Sequence, residues 1–464
     1  MTTDTTLRFV KHIRETKFEN IQPEAVARAK LAVLDIIAVS LAAAGSDIAS
    51  KARAVANTWG GREESRVFFF GNKLPAHNAA FVNAITSRVL DFDDTYELAP
   101  NGAHASAYII PTAFALADRD RAISGKEFLA AIIIACDLYC RATRSIRANA
   151  VDTGRDNGTS VFGTATAAMR LMGLDQEQCL NAFGIAYAQA AGEFQMYEEA
   201  SQTVSLQQGL RARSGIDSAE LARAGLNGPH EVFFGRYGFY RAFEPVHDVD
   251  LLLRDFGKDF VCRELSYKPY PCCKCMHPAI FATLQLREAE RVQPNDIAGI
   301  RIGTNRMCSE FLAQPKELKW NPPTQVAAKF SLPYGVSVAA AKGAVGIADF
   351  EEQALCNPEV HRLLAVTSVE VDADIERTDA PNQNAPAKVY FRMQDGREIS
   401  KRVDHPRGHP LNPPTKKEVE DKLRQCAASS TIKLTGTRLS DICAEVDALP
   451  EAKDLGRLLD LMTP

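Results

Sequence analysis

Apolar residues recur at spacings of three and four through much of the first half of the chain, which is the period of amphipathic helices. The longest such run covers residues 23–42 and has a proline in its first turn, where no helical hydrogen bond is lost. Ser124, followed by Glu127, and Asp175 both match N-terminal capping patterns. The run that follows Ser124, residues 128–140, is apolar almost all round, which predicts a central buried helix. This half of the chain is therefore predicted to be helical.

The pattern changes near residue 262, where partial alternation of apolar and polar residues indicates strands. The predicted strands are residues 296–304 and 367–375, and residues 388–403 are predicted to form a hairpin that turns at Asp395-Gly396. Helices are predicted between them at 333–342 and 349–355, and helical signals resume at 415. A strand-containing domain is thus inserted between helical segments, and the last helices are expected to pack back on the first domain.

Length and composition limit the function classes. A chain of 464 residues is expected to form two domains, and its net charge of −4 without a basic stripe argues against a nucleic-acid partner. No uncharged apolar run reaches 18 residues and the N-terminus lacks a signal-peptide pattern, so we expect neither a membrane span nor secretion. The eleven cysteines, an odd number, argue against a disulfide scaffold and for a reducing compartment, so a cytoplasmic location is expected.

The densest group of ionisable residues is Asp91-Phe92-Asp93-Asp94-Thr95, followed by His104. The segment between them contains proline, asparagine and glycine, so the acids end an ordered segment and the histidine follows a loop. Ionisable groups held on a loop between apolar helices are typical of active sites. The alternative is that the Asp-Asp-Thr run simply caps a helix.

A second group lies at the predicted domain boundary, in residues 268–278. Lys268 and Lys274 are suited to an anionic substrate, and clefts between domains are favoured ligand sites. His277 precedes Pro278 near a predicted helix N-terminus, a position that favours the neutral imidazole and therefore a base. A third segment, residues 325–335, places Tyr334 near another helix N-terminus.

The thiols of the second group raise the question of a metal. Cys272 and Cys275 have C-x-x-C spacing and Cys273 lies between them. A zinc or iron–sulfur site needs three or four converging thiolates. Adjacent cysteines point apart in an extended chain and no second C-x-x-C occurs, so packed thiols are favoured and no metal is predicted.

Taken together, these segments resemble the MmgE/PrpD family over nearly the whole chain. The motifs that carry the resemblance are residues 90–95, 104–106, 170–175, 213–216, 224–229, 268–272, 277–278, 329–334 and 407–410. The resemblance implies a mainly α fold with an α+β part: a large helical domain from both chain ends, residues 1–266 and 408–464, and a smaller inserted α/β lid domain, residues 267–407. It also implies a homodimer with a cofactor-independent site between the domains, acting on small carboxylates.

The family's chemistry moves a proton on or off a carbon next to a carboxylate, and its motifs suggest roles for individual residues. His104 is expected to be the general acid or base. The other expected catalytic residues are Asp91, Asp94, Lys268 and Tyr334, and the expected substrate-binding residues are Thr95, Lys274, His277, Arg155 and Gln207.

Three departures from the family pattern weaken the expected positive charge of the pocket. Arg155 and Asp156 stand in a segment where many members have His-x-Thr, and Gln207 stands in a Lys-x-Leu-His-x-Gly segment. His-Pro-Ser is replaced by His104-Ala105-Ser106. The missing cation and imidazoles argue for a related but less highly charged acid, or for an altered reaction.

The leading hypothesis is a cofactor-independent, dehydratase-type lyase acting on a small carboxylic acid. The first alternative is an isomerase or epimerase that uses the same carbon-acid chemistry. An iron–sulfur hydratase using Cys272, Cys273 and Cys275, and a carboxylate-binding protein without catalysis, are two further alternatives.

Overall fold

A computed structural model describes residues 2–99, 102–156, 158–376 and 386–463, with the side chains from residue 5 onwards. Most of these residues are helical and one small sheet lies in the second half, which confirms the predicted fold class. The first part of the chain contains α1 (Thr2–Glu15), α2 (Pro23–Ala43), α3 (Asp47–Trp59), β1 (Ser65–Arg66), β2 (Lys73–Leu74), α4 (Ala76–Arg88), α5 (Ala105–Arg119), α6 (Gly125–Ser145), α7 (Ala150–Thr153), α8 (Ser160–Leu171), α9 (Gln176–Tyr187), α10 (Gln195–Glu198), α11 (Thr203–Arg223), α12 (Phe239–Phe243) and α13 (Val249–Leu253).

The remaining elements follow the switch in pattern. They are α14 (His277–Glu290), β3 (Ile297–Thr304), α15 (Arg306–Ala313), α16 (Lys316–Trp320), α17 (Gln325–Lys329), α18 (Leu332–Lys342), α19 (Pro358–Ala365), β4 (Thr367–Val371), α20 (Ala373–Glu376), β5 (Ala387–Met393), β6 (Glu398–Val403), α21 (Lys416–Ser429), α22 (Gly436–Asp447) and α23 (Gly456–Leu461). Short 3₁₀ turns lie at Phe18–Asn20, Val261–Glu264, Lys274–Met276, Pro294–Asp296, Ile347–Phe350, Glu352–Cys356 and Leu449–Glu451.

Two helices begin at the predicted capping residues, but one of the two caps differs from the prediction. Asp175 forms a reciprocal capping box with Gln178 at the start of α9. Ser124 accepts a hydrogen bond from the backbone N–H of Glu127, but the Glu127 carboxylate instead accepts from Arg170. A tertiary ion pair has therefore replaced the second half of the predicted box at α6.

Two hydrophobic cores divide the molecule. The first combines helices from residues 9–267 with α21, α22 and α23, so both chain ends build it. Lys422 on α21 joins these ends, because its buried Nζ lies 2.6 Å from Asp35 Oδ1 on α2 and donates to the carbonyl oxygen of Phe92 at 2.6 Å. Removing one partner of such a buried pair costs about 3–5 kcal/mol. This contact ties the C-terminal helices to the segment that carries the first motif.

The second core lies in the lid domain around a four-stranded sheet. Its strand order is β4-β3-β5-β6, with β3 parallel to β4 and antiparallel to β5, and β5 and β6 form the predicted hairpin. The predicted strand 367–375 ends at Val371, because Asp372 caps the short helix that follows. The predicted helix 349–355 is instead a pair of 3₁₀ turns.

The chain enters and leaves the lid domain at adjacent points. The backbone of Ser266 pairs with Thr95, and the N–H of Tyr267 donates to the carbonyl oxygen of Gly408 at 2.9 Å. Gly408 has a positive φ of 91°, and a Cβ there would collide with the backbone of Tyr267. Both linkers therefore cross beside the first motif, at the boundary between the two cores.

Within the described ranges, no single helix is both long and apolar enough to cross a membrane. The bent pair of α2 and α3, which meet at 92°, meets that test only when the two helices are taken together. Most of α2 lies buried in the first core.

Candidate active site

A small, partly open cavity lies where the first motif faces the lid domain. Its free volume is about 20 Å³, which is room for about one water molecule. The cavity is lined by Arg88, Asp91, Thr95, Gly102, His104, Asp156, Phe194, Tyr197, Lys268, Cys273, Lys274, Phe311 and Phe330. The structure thus brings together five of the predicted site residues: Asp91, Thr95, His104, Lys268 and Lys274.

The end of α4 sets the geometry of the first motif. Arg88 is the last residue of this helix, and Asp91 follows with a positive φ of 50°. A non-glycine residue in this conformation is strained by about 1–3 kcal/mol and needs support from its surroundings. The support comes from two buried cations: Arg88 pairs with the Asp91 carboxylate, and Lys268 Nζ lies 3.0 Å from both the carbonyl oxygen and Oδ1 of Asp91.

His104 is held between a carboxylate and a guanidinium. Its Nδ1 lies 2.9 Å from Asp93 Oδ2, and Arg88 Nη2 lies 3.3 Å from its Nε2. Because a guanidinium only donates, Nε2 must be the acceptor, and Nδ1 carries the proton that is donated to Asp93. This arrangement of a base oriented by a buried carboxylate is the one that general-base sites use. The His104 side chain keeps 12% of its surface exposed, where it lines the cavity.

The charges around His104 determine its protonation state. Burial first, and then the positive charge of Arg88, lower the pKa of His104 to about 4, so the imidazole is neutral at pH 7. Burial opposes ionisation of Asp93, but Arg88 and His104 together hold the pKa of Asp93 well below its usual range. A neutral imidazole beside an ionised carboxylate is the form that can accept a proton from a carbon acid.

Asp94 points away from this cluster. Its carboxylate accepts hydrogen bonds from the Ser106 backbone N–H at 3.3 Å and from Ser106 Oγ at 2.5 Å, at the start of α5. Burial raises the pKa of Asp94 to about 7. From the sequence, Asp94 is expected to be catalytic and to orient His104 or the substrate. In the structure, the carboxylate that contacts His104 is that of Asp93. The run is expected either to serve the site or to cap a helix, and it does both: Asp93 contacts the imidazole, and Asp94 accepts hydrogen bonds at the start of α5.

The two predicted lysines are buried and paired. Lys274 Nζ donates to the Tyr267 carbonyl oxygen at 3.0 Å and lies 3.8 Å from Glu97 Oε1. Burial lowers the pKa values of Lys268 and Lys274 to about 8, so both carry a positive charge at neutral pH. Cations in such a water-poor cavity act on a bound anion more strongly than cations in water do.

Two further predicted residues lie in the lid domain outside the cavity wall. The Tyr334 hydroxyl donates to the Asp349 carbonyl oxygen at 2.8 Å, and its ring is buried in the second core. His277 is fully buried, and its Nε2 lies 3.3 Å from the Cys272 carbonyl oxygen. Burial first, and then Lys274, hold the pKa of His277 well below its usual value, so the predicted neutral imidazole is present but does not line the cavity.

The two expected substrate-binding residues in segments that depart from the family pattern, Arg155 and Gln207, also lie outside the cavity lining. Arg155 pairs with Glu244, with its Nε 3.4 Å from Oε1. Gln207 Nε2 contacts Met196 Sδ at 2.6 Å and the Glu193 carbonyl oxygen at 3.5 Å. The neighbour of Arg155, Asp156, lines the cavity instead.

Four aromatic residues, Phe194, Tyr197, Phe311 and Phe330, form an aromatic wall in the lining of the cavity. Neighbouring ring centroids lie 4.8–5.8 Å apart, so the rings are in contact. The Tyr197 hydroxyl donates to Asp156 Oδ2 at 3.3 Å. The sequence motifs indicate neither this wall nor the roles of Arg88 and Asp93. A signal for Arg88 does exist, since a basic residue three positions before an acid at a helix end pairs with it locally.

Two groups in the described part of the chain bring three potential metal ligands together. One is Asp91, Asp93 and His104, and the other is the partly exposed set His77, Asp217 and Glu220. In the first group the Arg88 guanidinium already pairs with both carboxylates, and Lys268 adds a second positive charge to Asp91. A divalent cation would have to displace these charges, so the donor set fits a metal poorly. Neither group contains a thiol, and no disulfide joins any of the eleven cysteines, all of which lie among the described residues.

Fold and site define a two-domain protein whose histidine, carboxylate and cation cluster lies in the cleft between a helical domain and an inserted lid. The model of the MmgE/PrpD N-terminal domain matches residues 7–252, and that of the MmgE/PrpD C-terminal domain matches residues 270–442. The chain therefore belongs to the MmgE/PrpD family, as the sequence motifs indicated.

Several curated relatives align over almost their whole length. The cis-aconitate decarboxylase-like protein oryM of Aspergillus oryzae is 25% identical, with 97% of this chain and 95% of the relative covered. Human cis-aconitate decarboxylase is also 25% identical, with coverages of 98% and 94%. The cis-aconitate decarboxylase of Aspergillus terreus is 24% identical, with coverages of 95% and 93%.

Proposed function

We propose that this protein is a cofactor-independent lyase of the dehydratase type, acting on a small carboxylic acid by proton transfer at a carbon next to the carboxylate. The observation that carries the proposal is the buried cluster of Arg88, Asp93 and His104 beside two lysines in the domain cleft. Membership of the MmgE/PrpD family and full-length similarity to lyases named cis-aconitate decarboxylases support it.

The proposed chemistry begins at His104. Its Nε2 takes the proton from the carbon next to the substrate carboxylate, in a step that requires the Arg88 hydrogen bond to Nε2 to break when the substrate binds, and Asp93 stabilises the imidazolium that forms. The charge left on the substrate spreads into the carboxylate as an enolate-like intermediate. Lys268 and Lys274 stabilise that charge because they are fixed and poorly hydrated before the reaction begins.

The second half of the reaction removes the leaving group. The electron pair of the intermediate forms a carbon–carbon double bond, and the β-hydroxyl departs as water after accepting a proton. Lys268 is our candidate donor, because burial lowers its pKa to about 8 and it remains protonated at neutral pH. The isomerase alternative would share the first step and return the proton to carbon without loss of water.

The test combines a panel of small mono-, di- and tricarboxylates that carry a β-hydroxyl group with His104→Asn and Lys268→Met. Formation of an unsaturated product should fall about a thousandfold or more in both variants, because each removes a group used in the transition state. Circular dichroism and thermal melting check that both variants fold. Full activity in both would contradict the proposal, and exchange of the α-hydrogen in deuterated water without an unsaturated product would favour the isomerase.

A further inference from the structure

The cations of the cavity each have a carboxylate partner before any substrate binds. Arg88 pairs with both Asp91 and Asp93, and Lys268 Nζ lies 3.0 Å from Asp91 Oδ1. These four side chains are at most 2% exposed, so little water shares their charge. The positive and negative charges of these four residues therefore balance each other, and the group has no surplus positive charge.

Lys274 and Asp156 extend this balance to the rest of the cavity. Lys274 faces Glu97, and Asp156 adds a further carboxylate on the side of Tyr197. Burial raises the pKa of Glu97 to about 7, so this carboxyl can take up a proton when an anion binds beside Lys274. Proton uptake by Glu97 would release the charge of one lysine, which is enough for one substrate carboxylate.

A second or third carboxylate would find no such compensation among the described residues that line the cavity. Three cations (Arg88, Lys268 and Lys274) and two carboxylates (Asp91 and Asp156) line the cavity. Two further carboxylates outside the lining, Asp93 and Glu97, pair with Arg88 and Lys274, so the three cations already face four carboxylates. Burying an additional anion without a partner is strongly unfavourable in a water-poor site. The charge balance therefore points to a substrate with one carboxylate.

The aromatic wall gives the cavity a largely apolar surface. Phe194 and Tyr197 come from the segment around α10, and Phe311 and Phe330 come from the lid domain. Tyr197 contacts both lid rings, with centroids 5.2 Å from Phe311 and 4.8 Å from Phe330. The three phenylalanine rings carry no polar group, and the Tyr197 hydroxyl already donates to Asp156, so the faces of the rings are complementary to alkyl or aryl groups.

We propose that the substrate is a monocarboxylate with an apolar arm: its carboxylate binds beside Lys268 and Lys274, and its alkyl or aryl arm lies against the aromatic wall. The inference rests on the proposed function and narrows its substrate class. It separates this chain from enzymes whose substrates carry several carboxylates.

The experiment compares butanoate, hexanoate and 3-phenylpropanoate with succinate and adipate by calorimetric titration of the full-length protein. Hexanoate and adipate form the critical pair, because the adipate chain ends in a second carboxylate where hexanoate ends in a methyl group. Hexanoate should bind about tenfold more tightly than butanoate, since each buried methylene adds roughly threefold to fourfold. Adipate should bind at least tenfold more weakly than hexanoate.

Variants of the aromatic wall test its role directly. Phe311→Ala should reduce the preference for hexanoate over butanoate to less than about threefold. Phe281→Ala, on lid helix α14 and outside the cavity lining, is the matched control and should leave that preference unchanged. If Phe311→Ala does not fold, Phe311→Leu should produce a smaller change in the same direction, and the ligand series on the natural protein tests the inference without any variant.

The outcomes separate this inference from the proposed function. If succinate or adipate binds as tightly as hexanoate, the inference of a monocarboxylate substrate is wrong. If Lys268→Met also abolishes that binding, the proposed carboxylate site is still supported. The inference fails in the same way if affinity is independent of chain length. If hexanoate binding persists unchanged in Lys268→Met, or if none of the acids binds, the proposed carboxylate chemistry itself is overturned.

Discussion

The two sides of the cavity differ in how their residues are distributed along the chain. On the ionisable side, Arg88, Asp91 and His104 lie within one helix end and one loop. The aromatic wall is assembled from residues near 194, 311 and 330 in two domains. The first side can carry out proton transfer with groups that already contact each other, whereas the second exists only when the lid meets the helical domain. The contacts around His104 are thus local in the sequence, while the aromatic wall depends on tertiary structure.

The sharpest test of the ionisable side is the neighbouring pair Asp93 and Asp94. Asp93→Asn should lower kcat about a hundredfold or more, because an amide no longer fixes the Nδ1–H tautomer of His104 or stabilises its imidazolium. Asp94→Asn should change kcat less than about threefold, since Asp94 contacts Ser106 and not the imidazole. Steady-state kinetics of both variants on one substrate is the measurement. Equal losses would show that the local geometry does not separate the two roles.

This pair also shows what sequence reasoning can reach. Local composition is enough to find the motif around Asp91 and His104, and hydrophobic period is enough to find the helical fold with an inserted sheet. Which of two adjacent carboxylates faces the imidazole depends on the turn that Asp91 makes at φ 50°, and composition does not encode that turn. Tyr334 and His277 are suggested by motif, but a motif gives the position in the chain and not the direction of the side chain.

The aromatic wall could not have been predicted for a related reason. Phe194, Phe311 and Phe330 occur singly in segments typical of ordinary helix ends, and nothing in their spacing links them. Their common location is a consequence of how the lid docks on the segment around α10.

The affinity for a carboxylate should depend on pH, because the groups on the ionisable side titrate and the phenylalanine rings of the aromatic wall do not. Below pH 7 Glu97 is protonated and Lys274 keeps a free charge, because burial raises the pKa of Glu97 to about 7. Above pH 8 Lys268 and Lys274 lose their protons, because burial lowers both pKa values to about 8. Affinity for a monocarboxylate should therefore fall about tenfold or more between pH 6.5 and pH 9. Titration calorimetry across this range checks it.

Glu97→Gln is the matched control for that experiment. The variant removes the carboxyl group beside Lys274 but retains an oxygen that can accept from Ser266. Affinity should then stay constant up to about pH 7.5, and only the fall caused by the two lysines should remain. An unchanged pH profile in this variant would assign the lower transition to another group.

Stability should also depend on Asp94 in a pH-dependent way. Burial raises the pKa of Asp94 to about 7, above its value in the unfolded chain, so its contribution to stability is complete below about pH 4 and is lost as pH rises through 7. Asp94→Asn removes this loss. The difference in the free energy of unfolding between the variant and the natural protein should therefore shift by about 2–3 kcal/mol in favour of the variant from pH 5 to pH 8.5. Urea unfolding of both proteins at the two pH values measures it, and a pH-independent difference would contradict the assignment.

The smallest effect is expected at Tyr334, which the family motif suggested as catalytic. Its hydroxyl donates to the Asp349 carbonyl oxygen within the lid core and lies outside the cavity lining. Tyr334→Phe should therefore change kcat and KM less than about twofold and lower stability by about 1 kcal/mol through the lost hydrogen bond. A loss comparable to that of His104→Asn would show that the lid moves this hydroxyl into the cavity during turnover. An unchanged kcat would indicate that the reaction takes place on the ionisable side of the cleft and that the lid contributes lysines and aromatic rings to the cavity.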